Sequence, residues 1–139
     1  MYREYGQWWS PSLGRTMEFL WFGKFGRPVL MFPTSSGRFY ENEDFGLAGS
    51  LADKVDAGEI QLALIDTVNN ESWYNKGIHP AVRAARHVQY DAYLRHEIVP
   101  YIFNRAQRGD LVVYGASFGA YHASNFAARY PDVVSRAIC

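Results

Sequence analysis

Leu111-Val112-Val113-Tyr114-Gly115-Ala116-Ser117-Phe118-Gly119 is the stretch that decides how this chain folds. Leu111 to Tyr114 is a continuous apolar run, the pattern of a strand covered on both faces in a parallel sheet. Gly115 to Gly119 then fits G-x-S-x-G, and Phe118 to Tyr130 reads as a helix closed by Pro131. A buried strand, this motif and a helix in succession make a sharp turn that lifts the serine oxygen out at the top of a sheet. Ala120, Ala123, Ala127 and Ala128 are small enough for that helix to pack closely. A plain alternative exists, in which Ser117 only caps the helix.

Outward from this turn, strands and helices alternate. Upstream, Gly26-Arg27-Pro28 turns into Val29-Leu30-Met31-Phe32, another continuous apolar run, followed by the loop Pro33-Thr34-Ser35-Ser36-Gly37. Leu47, Leu51 and Val55 recur at helical spacing, which predicts a helix over 45–57 with Gly58 just past its end. Ile60 to Val68 predicts a strand, leading into the polar loop Asn69-Asn70-Glu71-Ser72. Pro80 opens a long helix with apolar positions at Val82, Tyr90, Tyr93, Leu94, Ile98 and Tyr101, and Pro100 predicts a kink or an early end. Arg108-Gly109-Asp110 is a charged turn, and Val133 starts a last strand. Thr16 to Phe22 is rich in strand formers, while residues 1–15 show Trp8, Trp9 and a Ser10-Pro11-Ser12 turn cluster. The alternation predicts an α/β fold with a mostly parallel, three-layer sheet.

Composition narrows the function classes. The 139 residues suit one domain spanning 1–139, and 48% hydrophobic with 20% charged residues excludes disorder. Ten Tyr, nine Phe and four Trp imply a packed core or an aromatic-lined cleft. Lys plus Arg equals Asp plus Glu at 14 each, so no basic surplus points to nucleic acid or an anionic membrane. A single cysteine, Cys139, excludes an internal disulfide. No apolar run reaches the ~18–20 residues of a membrane helix. Met1 to Gly6 lacks the apolar stretch of a signal peptide. The expectation is a soluble, cytoplasmic protein.

The motif and its surroundings resemble the α/β-hydrolase superfamily, in particular its putative-esterase (esterase-D-like) members. The resemblance covers nearly the whole chain. Pro28 to Ser35 looks like the family's strand and oxyanion loop. Glu71-Ser72-Trp73-Tyr74-Asn75 with His79-Pro80 and the helix to Pro100 looks like the segment between its fourth and fifth strands. Tyr114 to Ala120 looks like the nucleophile elbow, and Ala128 to Asp132 like the end of its helix. The resemblance implies a serine hydrolase acting on a small-molecule carboxylic ester, with no cofactor or metal. Ser117 would attack the carbonyl carbon and form an acyl-enzyme. The Phe118 N–H would be one oxyanion donor, and Ser35, with Thr34 next, would supply the other. Each such donor is worth ~3 kcal/mol of transition-state stabilisation. The family usually has His-Gly in that loop, where this chain has Pro33-Thr34.

A serine nucleophile needs a histidine base and an orienting carboxylate, which follow the serine in this superfamily. Only His122 and Asp132 follow Ser117. His122 lies five residues on in the same helix, off the elbow's face, and reads as a packed helix residue. His79 reads as a helix-start residue and His96 as a solvated one. His87 and Asp91, four apart, read as a polar pair rather than two metal ligands, since a third ligand is not evident. Asp66 reads as a loop brace, Arg83 and Arg86 as a solvated helix face, and Trp73 and Tyr74 as core or acyl-pocket residues. The expectation is therefore a fold truncated after the strand following the nucleophile helix. The triad acid and histidine would be missing, and the isolated chain inactive. Val133 to Cys139 would form an apolar edge open to a second copy or a complementing chain. Two other readings compete: a flavodoxin-like domain holding a flavin or phosphate on Thr34 to Gly37, and a non-catalytic hydrolase-like domain working with a partner chain.

Overall fold

The computed structural model describes residues 1–139. Six strands form one sheet: β1 (Arg3–Ser10), β2 (Arg15–Phe22), β3 (Arg27–Met31), β4 (Ile60–Ile65), β5 (Leu111–Tyr114) and β6 (Val134–Ile138). Their spatial order is β1-β2-β4-β3-β5-β6. β4, β3, β5 and β6 run parallel, and β1 and β2 join as an antiparallel hairpin against β4. Side-chain alternation sends successive residues to opposite faces. Leu30, Ala63, Leu111 and Val113 pack into one core, while Met31, Leu62 and Leu64 pack into a second core on the other side. Helices cover both, so the domain has the three expected layers.

The first face is covered by α4 (Pro80–Tyr93), α5 (Val99–Ala106) and α6 (Phe118–Arg129). Pro100 does not end the helix. A π turn over Leu94–Ile98 joins α4 to α5, and Pro100 falls in the first turn of α5, directly after that irregular turn. Val82 is exposed rather than part of the apolar face, whereas Tyr90, Tyr93, Leu94 and Ile98 are buried.

The second face is covered by three short helices instead of one: α1 (Glu41–Asp44), α2 (Leu47–Ser50) and α3 (Ala52–Asp56). Gly46 takes φ +84° and starts a new segment, and Leu51 at φ −97°, ψ 3° breaks the next. The predicted facing still holds, because Leu47, Leu51 and Val55 all pack on this side of the sheet.

β1 lies in the region where only tryptophans and a turn stood out. Its hold on the rest is partly polar. Trp8 Nε1 donates to Glu97 Oε1 at 2.9 Å and Ser10 Oγ to Glu97 Oε2 at 2.8 Å, tying the hairpin to the π turn. At the opposite edge Val133 and Val134 are buried, and Ser135 to Cys139 are exposed along β6.

Candidate active site

The parallel strands β3, β4 and β5 all end at the same rim of the sheet, and the candidate residues collect there. Ser117 stands between β5 and α6, exposed, with φ 58° and ψ −127°. A non-glycine residue in this region of backbone space is strained by about 1–3 kcal/mol and needs surroundings that hold it. Those surroundings are close. A Cβ on Gly115 would lie 2.0 Å from the Gly119 carbonyl oxygen, so the turn closes only around glycine. A Cβ on Gly119 would lie 2.6 Å from the Pro33 carbonyl oxygen, which sets α6 directly against the loop after β3. Ser117 is the N-cap residue of α6, yet its side chain makes no capping hydrogen bond. Phe118 opens the helix, where the first N–H groups have no intrahelical acceptor.

The loop after β3 is pinned from below. Phe32 N–H donates to the Tyr114 carbonyl at 2.9 Å. Glu41, buried at the start of α1, accepts from the Thr34 N–H at 2.6 Å and also from the Thr34 hydroxyl. Its bond to Thr34, seven residues earlier, carries no local sequence signal. Thr34 is thereby committed to the fold, and Ser35 is the half-buried neighbour that lines the cavity on this rim. Asp66, just past β4, accepts from Arg38 Nε at 2.9 Å and from the Thr67 N–H at 3.1 Å, so it braces the two loops together. Burial raises its carboxyl pKa and the Arg38 guanidinium opposes the shift.

The histidines are placed elsewhere. His122 is buried, and its Nε2 lies 2.9 Å from Asn69 Oδ1. Burial, with a smaller push from His87, lowers its pKa to about 3, so it is neutral. It is the packed helix residue its position suggests, sitting among Phe32, His87, Tyr90 and Phe118. His87 Nε2 lies 3.3 Å from the Tyr121 hydroxyl. Asp91 accepts instead from the Tyr130 hydroxyl, at 2.5 Å. His79 accepts from the Ala81 N–H as the cap of α4, and His96 is exposed.

Arg86 is not a solvated residue. It donates to the Leu13 carbonyl at 2.7 Å and to Glu71 Oε1 at 2.7 Å, locking α4 to the β1–β2 turn. Trp73 packs at a tilt near His87 with centroids 5.1 Å apart, and Tyr74 near Phe118 at 5.0 Å, so the two make an aromatic flank beside the elbow. Tyr121 completes this flank, 5.1 Å from Phe118. It is one turn along the helix from Ser117 and Phe118, a spacing that could have marked it.

This geometry has relatives. The profile of a family described as putative esterase matches residues 31–139. The chain belongs to that family. By sequence, no curated protein matches it. Among solved structures, this esterase-family chain resembles an S-formylglutathione hydrolase from Staphylococcus aureus with a TM-score of 0.71 and 15% identity. It covers 98% of this chain and 57% of the hydrolase. A ferulic acid esterase superposes at 0.74 with 16% identity over 98% of this chain and 57% of its own. An IroE-like serine hydrolase from Shewanella oneidensis gives 0.70 with 17% identity over 98% and 49%. At such identities the likeness shows the fold, a mostly parallel α/β-hydrolase-like sheet. The chain spans about half the length of these proteins.

Proposed function

We propose that Ser117 is the nucleophile of a serine esterase that cleaves small carboxylic esters through an acyl-enzyme. The observation that carries this reading is the backbone of Ser117: a strained, exposed serine at φ 58°, ψ −127° on a strand-to-helix turn, with no structural use for its hydroxyl as a cap. Strain of this kind persists where function retains it. Phe118 N–H and the Ser35 N–H form the oxyanion hole in this proposal, since Glu41 already holds the N–H of Thr34. The same carboxylate takes both donors of Thr34 and sets a negative charge beside the loop, which argues against a phosphate or flavin on Thr34 to Gly37.

No histidine of these residues is held against Ser117 by a hydrogen bond: His122 bonds Asn69, His87 bonds Tyr121, and His79 caps its own helix. We therefore place the general base and its carboxylate partner outside these 139 residues. The test has two parts. In a protein carrying this domain, a fluorophosphonate should label Ser117 and not a Ser117→Ala variant. Residues 1–139 alone should hydrolyse p-nitrophenyl acetate no faster than the same variant. Labelling at a different residue would overturn the nucleophile, and serine-dependent turnover by residues 1–139 would overturn the placement of the base.

A further inference from the structure

We propose that Glu41 is a positioning residue of the esterase reaction: its carboxylate fixes the Thr34–Ser35 peptide so that the Ser35 N–H is held free as an oxyanion donor. This rests on the esterase reading above. Glu41 is 9% exposed and stands at the start of α1. Its bonds to Thr34 use both carboxylate oxygens, Oε2 for the N–H at 2.6 Å and Oε1 for the hydroxyl. Two acceptors in one plane meeting two donors of one residue leave Thr34 little freedom to turn. No arginine or lysine pairs with Glu41, so Thr34 is its sole side-chain partner. A largely buried carboxylate without a cation beside it is costly to keep, and its place in the fold asks for a use.

The other half of the grip is on the Thr34 carbonyl, which accepts from the Gly37 N–H at 3.1 Å. That carbonyl and the Ser35 N–H belong to one peptide unit. In a trans unit the N–H points opposite to the C=O. With the carbonyl turned in towards Gly37, the Ser35 N–H points out of the turn, and it has no acceptor in the protein. Gly37 lets the turn and the carboxylate meet, since a Cβ there would lie 2.4 Å from Glu41 Cδ. Asn42, the next residue of α1, donates from Nδ2 to the Phe32 carbonyl at 3.3 Å. The start of α1 therefore holds this loop on both sides of Pro33.

The loop so held is the one that meets the elbow helix. A Cβ on Gly119, two residues past Ser117, would lie 2.6 Å from the Pro33 carbonyl oxygen and 3.2 Å from that of Phe32. Pro33 has no N–H and the Thr34 N–H is taken, so Ser35 carries the first free donor of the loop. A donor stabilises a developing oxyanion most when it is already aimed, because a loose peptide must reorganise as the charge forms. Glu41 acts on that donor and not on the substrate, so it positions and does not itself catalyse. Acylation and deacylation both pass through a tetrahedral oxyanion. Loosening the donor slows both steps alike, which lowers kcat and leaves KM in place.

The test is hydrolysis of p-nitrophenyl acetate by a protein carrying this domain, with kcat counted per Ser117 that a fluorophosphonate labels to completion. Unfolded molecules then drop out of the count. Glu41→Ala should lower kcat about tenfold or more, short of the ~100-fold or greater loss on removing an oxyanion donor outright, and move KM by less than about twofold. Glu41→Gln should recover most of the rate, because its amide oxygen accepts from the Thr34 N–H and its amino group donates to the Thr34 hydroxyl oxygen. Thr34→Val keeps the shape and removes the hydroxyl half of the grip, so kcat should fall about threefold. A Glu41→Ala kcat within about twofold of the parent, a loss carried by KM, or a Glu41→Gln as slow as Glu41→Ala would overturn the role. Should Glu41→Ala not fold, an unchanged kcat in Thr34→Val overturns it. Labelling separates the two ideas: an unlabelled Ser117 in the parent removes the esterase reading, and a labelled Ser117 with indifferent variants removes the positioning role alone.

Discussion

Behind α4, α5 and α6 the sheet buries a core of 21 residues, whereas behind α1, α2 and α3 it buries eight. On the thinner side a groove of about 380 Å³, lined by Val29, Met31, Leu47, Val112 and Tyr114 among others, lies open. The contrast follows from the chain itself. One continuous helical segment of 27 residues, Pro80 to Ala106, lays a long apolar stripe on the first face, while Gly46 and Leu51 divide the other cover into pieces of four and five residues. The elbow helix belongs to the thick side. Strain at Ser117 must be held by packing that cannot relax, and α6 buries Gly119, His122, Ala123 and Phe126 to hold it.

Leucines on neighbouring strands probe this difference most strongly. Leu30 on β3 faces the thick core and Leu62 on β4 the thin one, and both are 0% exposed. Leu→Ala costs most where the surroundings cannot collapse into the space. We expect about 5 kcal/mol for Leu30→Ala and about 3 kcal/mol for Leu62→Ala, read from urea midpoints at unchanged m-value. Equal losses would mean that the two faces are equally rigid, and the comparison would fall.

Acid sharpens the same contrast, because the buried histidines lie on the thick side. The pKa of His122 drops from 6.5 to about 3 on folding. The unfolded chain therefore binds a proton that the folded chain refuses. Stability is complete above pH 6.5 and declines as pH falls towards 3, by up to ~1.4 kcal/mol per pH unit. Between pH 6.5 and 5 the loss is about 2 kcal/mol, with His87, lowered by burial in the same direction, adding to it. His122→Phe should flatten most of this slope in denaturation curves at the two pH values. A slope unchanged in the variant would show that other groups govern the acid limb.

Much of this was legible in the sequence, and the rest has a physical reason for hiding. Leu111–Tyr114 and the helix from Phe118 appear where the apolar run and the motif place them, because buried strands and close-packed helices leave strong local patterns. The predicted helix over 45–57 had the right face and the wrong continuity: periodicity reports which side is buried, not whether Gly46 takes a left-handed turn. β1 escaped because its burial depends on pairing with β2 and on Glu97, about 90 residues away. Around the site, Ser117 stood out through its local motif, and Phe118 and Ser35 through the family resemblance that the motif carries. The bonds of Glu41 to Thr34 and of Asn69 to His122 left no such mark, since they exist only after folding.

The smallest effect tests the thin side from within. Gly49 lies in α2, is exposed, and has no positive φ. A Cβ there would meet nothing within 4 Å. Alanine fits that helical backbone and restricts the unfolded chain, so Gly49→Ala should stabilise by about 0.4–1 kcal/mol. Gly46, three residues earlier, has equal space around it but sits at φ +84°. Gly46→Ala should therefore destabilise by about 1 kcal/mol, although both sites are equally free of neighbours. The paired sign change, read as a rise and a fall in Tm, isolates backbone conformation from packing. A fall in both variants would show that α2 is not the helical turn described here, and that the thin face is thin because its backbone is unsettled rather than because its helices are short.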